Sequence, residues 1–196
     1  MSTTIATPPM GAFAPPAQSR MTAVEFAERY AGDRVEYIDG KVVELPMPKY
    51  PHGKVVLRTG VIMAAHIDAQ DLGHMTVNDT FVKAATADDP YRLRGADFYF
   101  ISYARLPKGE NPEGDPWVNP ELIIEVKSPT DYWPGIREKV AEYLANEVLT
   151  VVVLDPAKLN ATVFTASGEK KLSASDILEL PDILPGFSVP VAKFFA

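Results

Sequence analysis

A chain of 196 residues, 46% hydrophobic and 23% charged, is long enough for one domain with a full core. It has no cysteine, which excludes disulfides and thiolate zinc sites, and its three histidines lack the His-Glu-x-x-His spacing of a zinc hydrolase. No run approaches the roughly 20 apolar residues of a membrane span, and the formal charge of −7 obliges any nucleic-acid contact to concentrate its bases locally.

The opening residues have neither the basic start nor the apolar middle of a secretion signal, so a cytoplasmic location with no membrane partner is expected. Residues 1–20 hold Pro8-Pro9 and Pro15-Pro16 among Ser, Thr and Ala, the composition of a disordered tail, and 21–196 are expected to form one domain. Thr22-Ala23-Val24-Glu25 reads as a capping box opening a short helix to about Tyr30. A hairpin follows across Asp39-Gly40, a dipeptide suited to the positive backbone angles of a tight turn. Val55, Ile62 and Ala69 recur at helical intervals and predict a helix over 53–70. Met75 to Ala84 and Tyr91 to Ile101 read as strands, with His74 in a loop before them. Leu106 to Asn119, punctuated by Pro107, Gly109, Pro112, Gly114 and Pro116, reads as a loop. Glu121 to Lys127 is a central strand. Ile136, Val140, Tyr143 and Leu144 mark a helix, and the almost wholly apolar Val148 to Leu154 a buried strand. Ala161 to Thr165 and a segment near Phe187 to Val191 close the chain, with Glu169-Lys170-Lys171 in a solvated turn. The fold class is α/β, ordered helix, three strands, helix, strand, behind an N-terminal helix and hairpin.

The central strand carries the chemistry. Alternation puts Ile123, Glu125 and Lys127 on one face and Leu122, Ile124 and Val126 on the other, so two charges sit beside a core position. Burying either without a partner costs several kcal/mol, so the pair calls for each other, a further charge or a metal ion. Asp97, a single acid in the aromatic strand upstream, could converge with Glu125 on one divalent cation with Lys127 beside it. Hard cations take oxygen ligands, which Asp97, Glu125 and the Val126 carbonyl supply, and Mg²⁺ or Mn²⁺ is the expected cofactor. Lys127, on the same face, would stand beside that ion and could stabilise negative charge there. The bland alternative is an ordinary ion pair at a strand end.

Asp97, then Glu125-Val126-Lys127, then Ser128-Pro129 resembles the PD-(D/E)XK nuclease superfamily and, within it, the Uma-two family of restriction endonuclease-like proteins. The likeness runs over roughly 22–196. It takes in Glu36-Tyr37-Ile38-Asp39-Gly40, the prolines 46, 48 and 51 with His52, then Lys139 and Tyr143, Val152-Val153-Leu154-Asp155-Pro156, and Leu184-Pro185-Gly186-Phe187 with Phe194-Phe195. Ala96 stands where the family has a proline, and Gly135 where it has an acid. The resemblance implies a restriction endonuclease-like core (α-β-β-β-α-β), DNA as substrate and phosphodiester hydrolysis, with Glu36, His52, Lys139 and Tyr143 as candidate supporting residues. Each of these four also has a structural reading: a backbone-bonded histidine, a surface acid, a solvated Lys–Tyr pair. Arg92, Arg94, Arg105 and Lys108 near Asp97, and Arg137, Lys139, Lys170 and Lys171 further on, are candidate phosphate contacts or plain surface charge. Cutting both strands of a duplex would be simplest with a homodimer. The competing functions are a catalytically weak nuclease-fold module that binds nucleic acid or protein, favoured by the acidity and Gly135, and a metal-free α/β domain.

Overall fold

The computed structural model describes residues 20–110 and 117–196, so the expected tail lies outside the described residues save for Arg20. Helix α1 (Ala23–Arg29) opens on the capping box: the Thr22 hydroxyl accepts the Glu25 N–H at 3.2 Å, and the Glu25 carboxylate accepts the Thr22 N–H at 2.7 Å. Its buried Phe26 stacks on Tyr37 of a hairpin made by β1 (Val35–Ile38) and β2 (Lys41–Glu44). Asp39 and Gly40 both have positive φ, 52° and 73°, as a two-residue hairpin turn of this hand requires.

Helix α2 (Tyr50–Gln70) starts three residues before the predicted position, because Pro51 fits the first turn, where no N–H is needed. Strands β3 (Gly73–Lys83), β4 (Leu93–Ser102) and β5 (Leu122–Val126) follow. After them come helix α3 (Trp133–Ala145) and strands β6 (Thr150–Asp155), β7 (Asn160–Thr165) and β8 (Gly168–Leu172). The eight-stranded sheet runs β2-β1-β4-β5-β6-β7-β8, with β3 also paired to β4. Every pair is antiparallel except β5–β6, where α3 makes the crossover that parallel neighbours need. A small antiparallel pair, β9 (Ile177–Glu179) and β10 (Ser188–Pro190), ends in a 3₁₀ turn over Val191–Phe194. No helix among the described residues is long and apolar enough to cross a membrane.

The sheet has two covered faces. On one, Val55, Met63 and Ile67 of α2 pack with Phe98, Phe100, Leu122, Ile124 and Val152, and Leu178, Phe187 and Phe194 close the layer. On the other, Val140 and Tyr143 of α3 pack with Tyr99, Ile123, Val151 and Val153. The predicted order of helix, three strands, helix, strand is present as α2-β3-β4-β5-α3-β6, a mixed α/β core with the N-terminal helix and hairpin attached. Two local expectations are corrected. Glu169-Lys170-Lys171 is not a turn: it lies in β8, which among the described residues is an outer strand paired with β7 alone, and a charged edge of this kind resists pairing with other chains. His74 lies in β3 opposite Ile101, since the strand begins at Gly73, where the Cβ of any other residue would meet Ile101 O at 2.2 Å.

Candidate active site

The β4–β5 ladder has its last matched pair at Phe98 and Ile124. One step further, the Asp97 carboxylate takes the role of a ladder carbonyl: its Oδ2 accepts the Val126 N–H at 2.7 Å. The two strands begin to part at this point, and Asp97 is fastened across the gap to the residue after Glu125. His52, in the first turn of α2, reaches the same oxygen with Nε2 at 3.3 Å, while its Nδ1 is buried without a partner. Burial works against the charged imidazole, but Asp97, Asp79 and Glu125 together raise its pKa.

Glu125 turns toward α3. Its Oε1 accepts the Tyr143 hydroxyl at 2.9 Å and lies 3.1 Å from the Lys139 ammonium. Lys139 also donates to Gly95 O at 2.8 Å and sits 3.3 Å from Glu36 Oε1. Glu36, from β1, accepts the Gly95 N–H at 3.2 Å and an Arg94 N–H at 2.9 Å. Three elements thus fix one carboxylate. Burial pushes the Glu125 carboxyl up to about 7; Lys139 and Tyr143 pull it down and Asp97 pushes it further up. Lys139, despite its burial, is held well above its ordinary value by Glu125 and its other anionic neighbours, so it stays charged and orients rather than exchanges protons. Against burial, Lys139 and Arg94 keep Glu36 ionised, below the usual carboxylate value. A cavity of about 220 Å³ opens on Glu125, with Glu36, Arg94, Lys127 and Lys139 in its wall.

Asp97, Glu125, Glu36, His52, Lys139 and Tyr143 are therefore brought together from five elements. Lys127 is placed differently: one residue past the end of β5, it lines the cavity, but its ammonium donates to Ser128 O at 3.1 Å. The lysine on Glu125 is Lys139. Lys139 and Tyr143 are not a solvated pair, because Tyr143 is fully buried and both engage Glu125. Arg92 and Arg94 are not open phosphate contacts. Both reach Glu142, with Arg92 also on Asp39 and Asp89 and Arg94 on Glu36. Arg105, Lys108 and Arg137 are likewise paired, with Glu121, Asp71 and Glu169. At Gly135 the ring of Tyr132 lies over the space a side chain would take, 3.3 Å from an ideal Cβ.

Sequence reasoning missed Asp79 and Arg34. The β3–β4 register jumps from Val77–Phe98 to Thr80–Ala96, so both Asn78 and Asp79 oppose Asp97 in a β-bulge. Both have positive φ, 77° and 54°. Asp79 forms an ion pair with Arg34, and burial and Asp97 push its carboxyl up against the pull of that arginine. The usable signal was Asn78-Asp79, a turn-forming pair interrupting a strand pattern.

The donor set suits a hard divalent cation. The bonds to Asp97 fall on Oδ2 and those to Glu125 on Oε1, which leaves one oxygen of each for another ligand. Among the described residues no three His, Cys, Asp or Glu side chains form a ready-made cage. Mg²⁺ needs none, because it keeps several waters and binds through one or two carboxylates plus substrate phosphate.

The model of the Uma2 family, described as "Putative restriction endonuclease", matches residues 23–192. No curated protein matches the chain. Among solved structures, one described as a "putative nuclease belonging to DUF820 from Anabaena variabilis" aligns over 89% of this chain and 97% of its own, with TM-score 0.72 and 17% sequence identity. At that identity the likeness is one of fold.

Proposed function

Because the chain belongs to the Uma2 family, we propose that it is a Mg²⁺- or Mn²⁺-dependent endodeoxyribonuclease that hydrolyses phosphodiester bonds of DNA in the cytoplasm. The observation that carries this reading is the pairing of Asp97 and Glu125 where β4 and β5 part, each with one carboxylate oxygen engaged and one left over. Asp97, Glu125 and the Val126 carbonyl would hold the cation. When bound, it would polarise a phosphoryl oxygen and lower the pKa of water in its shell. The chain's own residues do the rest. Lys139 and Tyr143 fix the Glu125 rotamer, and Glu36 fixes Lys139, so the acidic site is organised before substrate arrives. His52 secures Asp97 at the oxygen that also takes the Val126 N–H. Lys127 lines the same cavity; released from Ser128 O, it would orient the attacking water and stabilise developing charge. Two copies of the chain would give one site per DNA strand.

A catalytically weak binding module is the second reading, favoured by the tie between Lys127 and Ser128 O. The test separates them. Purified protein is incubated with supercoiled and linear DNA in Mg²⁺, Mn²⁺ or chelator, beside Asp97→Ala, Glu125→Ala and Lys127→Ala. Metal-dependent nicking absent from the Asp97 and Glu125 variants supports the nuclease. Nicking that survives in those variants defeats it, and DNA binding without cleavage turns the choice to the module.

A further inference from the structure

Behind the β3 bulge, on the side facing α1, lies a second and larger cavity, of about 870 Å³. It borders the reacting carboxylates through Asp79, which opposes Asp97 across the β3–β4 register jump. Its volume falls in the range of small-molecule and cofactor sites, roughly 300–1,000 Å³. One wall is apolar and aromatic, with Phe81 and Trp117. Lys83 pins that tryptophan: its ammonium donates to Trp117 O at 2.8 Å and stands 5.5 Å from the indole centroid.

Arg34 is the one cation among the described residues lining this space. Apart from its pairing with Asp79 it has a single long bond to Pro46 O at 3.5 Å, and its Nε is buried with no acceptor. That differs from Arg92 and Arg94, whose guanidinium groups are spent on two or three carboxylates each. The Nε is closed to the cavity, so a phosphate there would meet the two Nη groups, each of which has a second N–H beyond its bond to Asp79 or Pro46. Glu28, Asp33 and Asp79 set three acids on the lining against the one arginine, so a run of phosphates is repelled and only a phosphate seated directly on Arg34 is held.

We propose that this cavity receives one unstacked nucleotide of the substrate strand, with its phosphate on Arg34 and its base against Phe81 and Trp117. The inference rests on the nuclease reading and names a preference within it. A base can enter such a cavity only by leaving its stack, so single strands, flaps and mismatched sites bind better than uniform duplex. Asp79 is a positioning residue here: the bulge turns its carboxylate to hold Arg34 at the cavity edge.

The chain has two tryptophans, so Trp133→Phe in the full-length protein leaves Trp117 as the only indole. Its fluorescence is followed during titration, with Mn²⁺ and again with chelator, by a single-stranded oligodeoxynucleotide, the same strand made abasic, and the matching duplex. The single strand should quench Trp117, and the other two should bind about tenfold more weakly. Arg34→Gln should weaken binding about 10–100-fold, with partial recovery in Arg34→Lys. Met47→Glu, on the exposed rim and apart from the Asp79 pair, should also weaken it while leaving circular dichroism unchanged. Equal binding of abasic and intact strands, absence of binding, or a folded Arg34→Gln protein that binds as before would each overturn the proposal. Failure of the nuclease reading is seen separately, as absence of cleavage of every DNA by the unaltered chain.

Discussion

The two faces of the central sheet are built from the same strands and do opposite work. Toward α2, Phe98, Phe100, Leu122, Ile124 and Val126 belong to one apolar cluster with α2, and the layer is closed by residues from the C-terminal turn. Toward α3, Ile123 and Val153 share their layer with Glu125, Lys139 and Tyr143, and the adjoining Arg92, Arg94, Glu36 and Glu142 continue the polar region. The first face is held by dispersion and exclusion of water, which tolerate conservative exchange. The second is held by matched charges, each of which becomes a liability once its partner goes. A strand can thus be core on one side and a charged edge on the other, provided its buried charges are answered.

The sharpest way to break that contrast is to damage each face equally and compare the consequences. Phe100→Ala on the apolar face should cost about 3–5 kcal/mol in urea denaturation and leave the site chemistry of the surviving folded protein unchanged. Glu142→Ala should cost a similar amount, about 3–5 kcal/mol, because Arg92 and Arg94 lose a shared carboxylate in a buried setting. If Glu142→Ala proves near neutral, the charged face is wetter and less integral than its geometry states.

Next in size is an effect confined to chemistry. Glu125→Gln should reduce DNA cleavage by about 10²–10³-fold while thermal melting still shows a folded protein. Undiminished cleavage in that variant, freshly purified, would remove Glu125 from the reaction.

A smaller effect concerns pH. The Glu125 carboxyl in the metal-free fold titrates near 7, above its ordinary 4.5. The folded state therefore holds a proton that the unfolded chain releases between these values. Stability without metal should fall as pH rises through that window, and cation binding must expel the proton. Mn²⁺ affinity, measured by calorimetry, should rise up to about tenfold per pH unit below 7 and level off above it. A flat affinity from pH 5 to 8 would separate Glu125 from the cation. The smallest change is expected for Tyr143→Phe. Losing the hydroxyl that favours the carboxylate, Glu125 should titrate higher, moving the acid limb of the rate profile up by about one unit or less.

Much of this molecule was legible in its residues. The capping box at Thr22, the Asp39-Gly40 turn and the helical spacing of Val140 and Tyr143 are local signals, and each element formed where they pointed. Glu125 stood out because a carboxylate in an apolar run is costly, and that argument needs only alternation along one strand. Lys127 and Lys139 show where such reasoning stops. Alternation places Lys127 on the face of Glu125, yet a backbone carbonyl one residue away captures its ammonium, while Lys139 arrives from a helix packed on that face. Arg92 and Arg94 read as free cations only because Glu142, some fifty positions on, could not be seen beside them.

Periodicity and the cost of buried charge were enough, read from the chain alone, to settle the α/β class, the order of the core elements from α2 to β6, and Asp97 and Glu125 as candidates. Three-dimensional packing alone decided which lysine meets Glu125, that His52 and the Val126 N–H share one oxygen of Asp97, and that a bulge carries Asp79 and Arg34 to the edge of the site. The reason is one of range. Backbone propensity and burial act over a few neighbouring residues, whereas charge partners are chosen by strand register and helix docking, which bring together positions dozens of residues apart.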